Sequence, residues 1–193
     1  MDKNLQDKIR GSLIGGAVGD ALGYPVEFMS YADIVQKYGD KGITRYELDR
    51  NSGKSLISDD TQMTLFTANG LLYAITRVMT YGALGADLND YVRNAYTEWY
   101  ETQTGVRDYY NYHTCWIRDI KDLNVRRAPG NTCMSALQSI VNGKEVLNDS
   151  KGCGGVMRVA PVGCFMANQN NEFDWNEHSV NKYAAECAAI THK

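Results

Sequence analysis

The sequence predicts a mostly helical, all-α protein. Only three prolines occur in 193 residues, so few points force the chain out of a helix. Several long stretches carry apolar residues at the 3.6-residue spacing of a buried helix face. Hydrophobic residues make up 44% of the chain and charged residues 22%, which supports an ordinary water-soluble core.

The elements follow in order. Leu5, Ile9, Leu13 and Ala17 fall on one face of a first helix. Gly11, Gly15, Gly16, Gly19 and Gly23 interrupt that helix and its end. Glycine costs roughly 1 kcal/mol against alanine in a helix interior, so the run predicts close approach of a second helix or a ligand. Residues 24–57 read as irregular, broken by Pro25, Gly39, Gly42 and Gly53. A second helix runs from about Asp59 to Tyr81, with Leu65, Ala68, Leu72 and Ile75 on its inner face, and Gly82 ends it. Leu88, Tyr91, Val92, Ala95 and Trp99 mark a third. Residues 103–130 read as a loop with a short helix, rich in aromatic and polar side chains around Tyr109, Tyr110 and Tyr112.

Asn131 is placed to cap a fourth helix, with Met134, Leu137, Ile140 and Val141 on one face and Gly143 as its stop. Residues 152–155 form a glycine-rich turn, and Val156–Gly163 reads as a helix start or a buried turn. Ser179 is placed to cap a last helix, with Tyr183, Ala184, Cys187 and Ile190 inward. That helix is still apolar where the sequence stops at Lys193, so the expectation is one domain over 1–193 that is incomplete at its C-terminus.

Composition excludes several classes. The formal net charge of −3 offers no basic field for nucleic acid. No apolar run is long enough for a membrane span, and the polar start lacks a signal-peptide core. The five cysteines (115, 133, 153, 164, 187) form no Cys-x-x-Cys pair, so a zinc site and a disulfide framework are both disfavoured. A reducing, cytoplasmic setting is expected.

Three constellations carry chemistry. Asp20 sits in an apolar glycine-rich segment, with Glu27 seven residues on. A carboxylate there must be paired, bound to a cation or protonated, or must bond neighbouring backbone. Ser58-Asp59-Asp60-Thr61 leads directly into an apolar run. Oxygen donors of this kind suit a hard divalent cation, and they equally suit a helix N-cap. In Gly152-Cys153-Gly154-Gly155, consecutive unshielded N–H groups suit a phosphate or diphosphate, or simply a tight turn. Arg158 nearby suits a phosphate or a structural ion pair. Cys153 is not read as a nucleophile, because His113, His178 and His192 sit in no recognisable Cys–His motif.

Taken together, these stretches resemble the ADP-ribosylglycohydrolase family, which includes the dinitrogenase-reductase-activating glycohydrolases. The resemblance runs through Ile9–Gly23, Ser58–Thr61, Arg127–Thr132, Lys151–Pro161 and Ala189–His192. It implies an orthogonal helical bundle around a dinuclear Mg²⁺ or Mn²⁺ site. It implies Ser58, Asp59 and Asp60 as metal ligands, with Asp60 doubling as a base. Glu27 would be a gating or proton-handling group beside the substrate ribose. Asp20, Gly152, Cys153, Gly154 and Gly155 would contact substrate. Relatives complete the site with a C-terminal Asp-x-Asp-Thr motif. That motif is absent here, Asp174 standing alone, so half of the ligand set is expected.

The implied activity is metal-dependent removal of ADP-ribose from a modified protein side chain or a small-molecule conjugate. The alternatives are a non-catalytic ADP-ribose-binding or structural member, or an inactive fragment.

Overall fold

A computed structural model describes residues 3–106, 113–167 and 177–193. Among these, seven α-helices form and no strand does: α1 (Lys3–Gly23), α2 (Tyr31–Tyr38), α3 (Asp59–Tyr81), α4 (Leu88–Thr104), α5 (Asn131–Val141), α6 (Ala160–Met166) and α7 (Glu177–Ala189). Short 3₁₀ turns lie after α1 at Tyr24–Val26, between α4 and α5 at Trp116–Asp119 and Lys121–Leu123, and between α5 and α6 at Cys153–Gly155.

The α3–α4 pair is the centre of the core. Met63, Phe66, Leu71 and Ala74 of α3 meet Val92, Ala95, Tyr96 and Trp99 of α4. Gly70 permits the approach: a Cβ there would lie 2.9 Å from the Tyr91 carbonyl oxygen and 3.0 Å from Val92 Cα. The buried stripe of α3 is thus not the expected one. Leu72 is 48% exposed, and Leu65, Ala68 and Ile75 are only half-buried. Because α3 is apolar on two sides, spacing alone does not decide which side α4 covers. Gly82, in the left-handed region at φ 75°, closes α3 with its N–H on the Val78 carbonyl.

Buried polar side chains then fasten the 113–127 segment to this pair. Gln62 is fully buried; its Oε1 accepts from Trp99 Nε1 at 3.0 Å, and its Nε2 donates to the Val125 carbonyl at 2.8 Å. The buried Glu98 carboxylate accepts from the Thr114 N–H and hydroxyl, both at 2.6 Å, and from the Cys115 N–H at 3.1 Å. Each bond satisfies a group whose burial would otherwise cost about 1–3 kcal/mol.

Several expectations need correction. The segment 24–57 is not wholly irregular, since α2 lies within it. Its cap was legible: Ser30 Oγ accepts from the Asp33 N–H at 3.2 Å, and Gly39 follows the last turn. Asn131 does not cap α5; it is the first helical residue, after Gly130. Ser179 lies inside α7, which begins at Glu177. The glycines of α1 approach no neighbour: a Cβ on Gly11, Gly15, Gly16, Gly19 or Gly23 would find nothing within 4 Å among the described residues. The Tyr109–Tyr112 cluster and Asp174 lie outside the described residues.

Candidate functional site

The C-terminal half of α1 crosses the N-terminus of α3, and the crossing is held by one carboxylate. Asp20 accepts from the Ser58 N–H at 2.9 Å, the Thr61 N–H at 3.2 Å and the Thr61 hydroxyl at 2.5 Å. An anion at the start of a helix satisfies orphan N–H groups and opposes the positive end of the dipole. Ser58 is the N-cap proper, its Oγ accepting from the Asp60 N–H at 3.1 Å. The capping reading of Ser58 is therefore correct as geometry, and a second carboxylate from a distant helix reinforces it.

Asp59 turns away from solvent. It is 5% exposed, and its Oδ2 accepts from the Gly130 N–H at 3.0 Å, while its own N–H donates to the Arg127 carbonyl at 3.1 Å. Burial pushes its pKa up to about 6, the Gly130 N–H opposes this, and the Asp60 and Glu27 charges add to it. Asp60 is raised by burial and then by Asp20. Glu27 is raised by burial and then by Asp60 and Asp20. Four carboxylates thus share one region and repel one another, and protonation or a cation relieves that repulsion.

A groove of about 500 Å³ opens between these elements. Asp20, Glu27, Ser58, Asp60 and Thr61 line it, together with Gly16, Gly19 and Gly23 of α1. The α1 glycines therefore leave room rather than seat a helix. From the glycine turn, Cys153 reaches the groove wall. The other glycines serve packing: a Cβ on Gly155 would sit 3.1 Å from Ala188 Cβ, and one on Gly154 would sit 2.8 Å from His192 Cε1.

Two residues of this region have roles the sequence did not disclose. His192 lies over the glycine turn, and its approach to Gly154 is set by α7, which local sequence cannot reveal. Arg158 is neither a groove residue nor part of an ion pair among the described residues. It is fully buried, with its guanidinium 4.2 Å from the Tyr96 ring centre. It donates to the Cys187 and Ala188 carbonyls at 3.3 Å each and to Thr191 Oγ1 at 2.7 Å.

Could these residues hold a metal? No group of three or more His, Cys, Asp or Glu with ligating geometry occurs among the described residues. Asp60 and Glu27 nevertheless offer carboxylate oxygens to the groove, with the Ser58 and Thr61 hydroxyls beside them, while Cys153 adds a thiol and the Asp20 oxygens are taken by Ser58 and Thr61. Magnesium commonly binds through one or two carboxylates, keeping waters and substrate phosphate for its other positions. The donor chemistry fits a hard divalent cation of that kind.

Fold and groove together define an all-helical protein with an acidic cleft at a helix N-terminus. The chain belongs to the ADP-ribosylglycohydrolase family, whose model matches residues 1–193. It is 27% identical over 195 residues to an uncharacterized protein of Archaeoglobus fulgidus, covering 97% of this chain and 50% of that one. The chain thus spans about half the length of this curated relative. No solved structure matches. The family is one of hydrolases and is generally metal-dependent. No described helix is long and apolar enough to cross a membrane.

Proposed function

We propose that this chain supplies the acidic cleft of a metal-dependent glycohydrolase that removes ADP-ribose from a modified protein side chain or a small-molecule conjugate. The observation that carries the reading is one groove lined by Glu27, Asp60 and Cys153, from three separate parts of the sequence. The carboxylates suit a ribose and its leaving group. The glycine turn, which reaches the groove through Cys153, is the part suited to a diphosphate.

Asp60 would hold Mg²⁺ or Mn²⁺, with Ser58 and Asp59 as the further ligands that the family resemblance implies. Bound there, the metal would supply charge to grip ribose hydroxyls and lower the pKa of water. The chain's own groups do the rest. Cleavage at the anomeric carbon develops oxocarbenium character, which nearby carboxylates stabilise. Glu27 is exposed at the groove mouth and carries a raised pKa, so it retains a proton to higher pH than a free side chain and can deliver it. Asp60 is placed to take a proton from water. Asp20 has its oxygens committed to Ser58 and Thr61, so its contribution to substrate is the shape of the groove wall. A cytoplasmic location belongs to this reading, as does an ADP-ribosylated protein or metabolite as partner.

The test is release of ADP-ribose from ADP-ribosylated arginine and serine peptides, with Mn²⁺ or Mg²⁺ present, read by mass spectrometry. Release that fails in Asp60→Asn supports the reading. Calorimetric binding of ADP-ribose without release makes the chain a binding protein. Absence of both binding and release contradicts the proposal.

A further inference from the structure

We infer that Arg158 is a positioning residue, acting through the Thr191 hydroxyl to hold neutral His192 as its Nε2–H tautomer over the glycine turn. The inference rests on the preceding reading only for what the ring's N–H then meets, a phosphate oxygen.

The chain of donors begins with a group that can only donate. A guanidinium has five N–H bonds, no acceptor and no accessible neutral form. Its NH2 lies 2.7 Å from Thr191 Oγ1, so that oxygen accepts. The single hydroxyl proton of Thr191 must then point elsewhere. His192 Nδ1 is 2.8 Å away, whereas the other neighbour, Cys133 Sγ, is a weak acceptor at 3.9 Å. Nδ1 therefore accepts, and in a neutral imidazole the proton then resides on Nε2.

Electrostatics agree with the bonding. The Arg158 charge favours a lone pair facing it and an N–H facing away. The same charge, after burial, disfavours the imidazolium form, so the ring stays neutral. Arg158 meets no carboxylate among the described residues that would screen this effect. Its charge rests instead on carbonyls at the end of α7 and on the Tyr96 ring.

The ring edge is also fixed in space. Nε2 lies 3.1 Å from the position of a Cβ on Gly154 and 3.8 Å from one on Gly152. It has no hydrogen-bond partner among the described residues. The result is a committed, half-buried donor over the turn, its N–H open to solvent or to a ligand seated there. A residue serving only to cap α7 would make the carbonyl contacts and leave the tautomer indifferent.

Long-range ¹H–¹⁵N correlation of the histidine rings in the labelled protein tests this, with the His192 signals assigned by their loss in His192→Gln. The expected wild-type pattern is protonated Nε2 and bare Nδ1. Thr191→Val should shift the population toward Nδ1–H, and Thr191→Ser should restore it. ADP-ribose should bind Thr191→Val about tenfold more weakly, the worth of one hydrogen bond to a charged oxygen. A wild-type ring protonated at Nδ1, or an unchanged tautomer in Thr191→Val, would overturn the inference. If Thr191→Val does not fold, the wild-type spectrum alone decides. Failure of wild type to bind ADP-ribose would remove the phosphate reading and leave the tautomer result standing.

Discussion

Asp20 on α1 grips Thr61 on α3 twice, through the backbone N–H at 3.2 Å and the hydroxyl at 2.5 Å. That pair sets where the α3 N-terminus sits, and with it Asp60 and the groove. Asp20→Ala leaves the Ser58 and Thr61 donors without this acceptor and should cost about 2–4 kcal/mol. Asp20→Asn keeps an acceptor but loses the charge at the helix start, and should cost about 1 kcal/mol. Urea denaturation of both variants checks the order; equal stability of Asp20→Ala and wild type would contradict it.

Asp59 gives a pH signature. Its folded pKa is about 6 against an ordinary 3.8, so the folded chain holds a proton that the unfolded chain has already released. The stability it contributes is complete below pH 3.8 and is lost as pH rises through about 6, a change of roughly 2–3 kcal/mol. Burial lowers the His192 pKa below its ordinary 6.5, which runs the other way: its contribution is lost as pH falls below 6.5. The Asp59→Asn variant separates them, because an amide oxygen still accepts from the Gly130 N–H. In chelator, the stability gained by Asp59→Asn should grow between pH 4.5 and 7.5. A pH-independent difference in melting curves would refute the assignment.

Glycines at two positions should respond oppositely. Gly70→Ala places a Cβ 2.9 Å from the Tyr91 carbonyl oxygen and should destabilise by about 1–3 kcal/mol, overriding its helix propensity gain. Gly11→Ala meets nothing within 4 Å and should stabilise by up to about 1 kcal/mol. Thermal unfolding of the two variants reads the contrast directly.

The extent of α3 was legible because it is long, opened by capping residues and closed by Gly82, and α4 was legible as a helix from its apolar spacing although it runs on to Thr104, into the segment read as a loop. The acidic end of α3 was legible as chemistry because Asp59 and Asp60 are adjacent in sequence. The short α2 was hidden by its length of eight residues within a segment broken by Pro25, Gly39, Gly42 and Gly53, although Ser30 and Asp33 spell its cap. The Asp20 contact with Ser58 and Thr61 spans about forty residues and leaves no local pattern. Arg158 reads from its neighbours as a cation for a phosphate or for a structural ion pair; only the fold shows that it is buried against the α7 carbonyls instead. The buried side of α3 was misjudged because Leu72 and Leu71 are equal as letters, and Gly70 decides between them by admitting α4.

The proposed activity depends on the groove carboxylates binding a divalent cation. Titration of Mn²⁺ into the metal-free protein, with free Mn²⁺ followed by electron paramagnetic resonance, tests it most directly. Saturable binding in wild type that weakens at least tenfold in Asp60→Asn, with unfolding still cooperative, is the predicted result. Equal Mn²⁺ uptake by wild type and Asp60→Asn, or none by either, would contradict it.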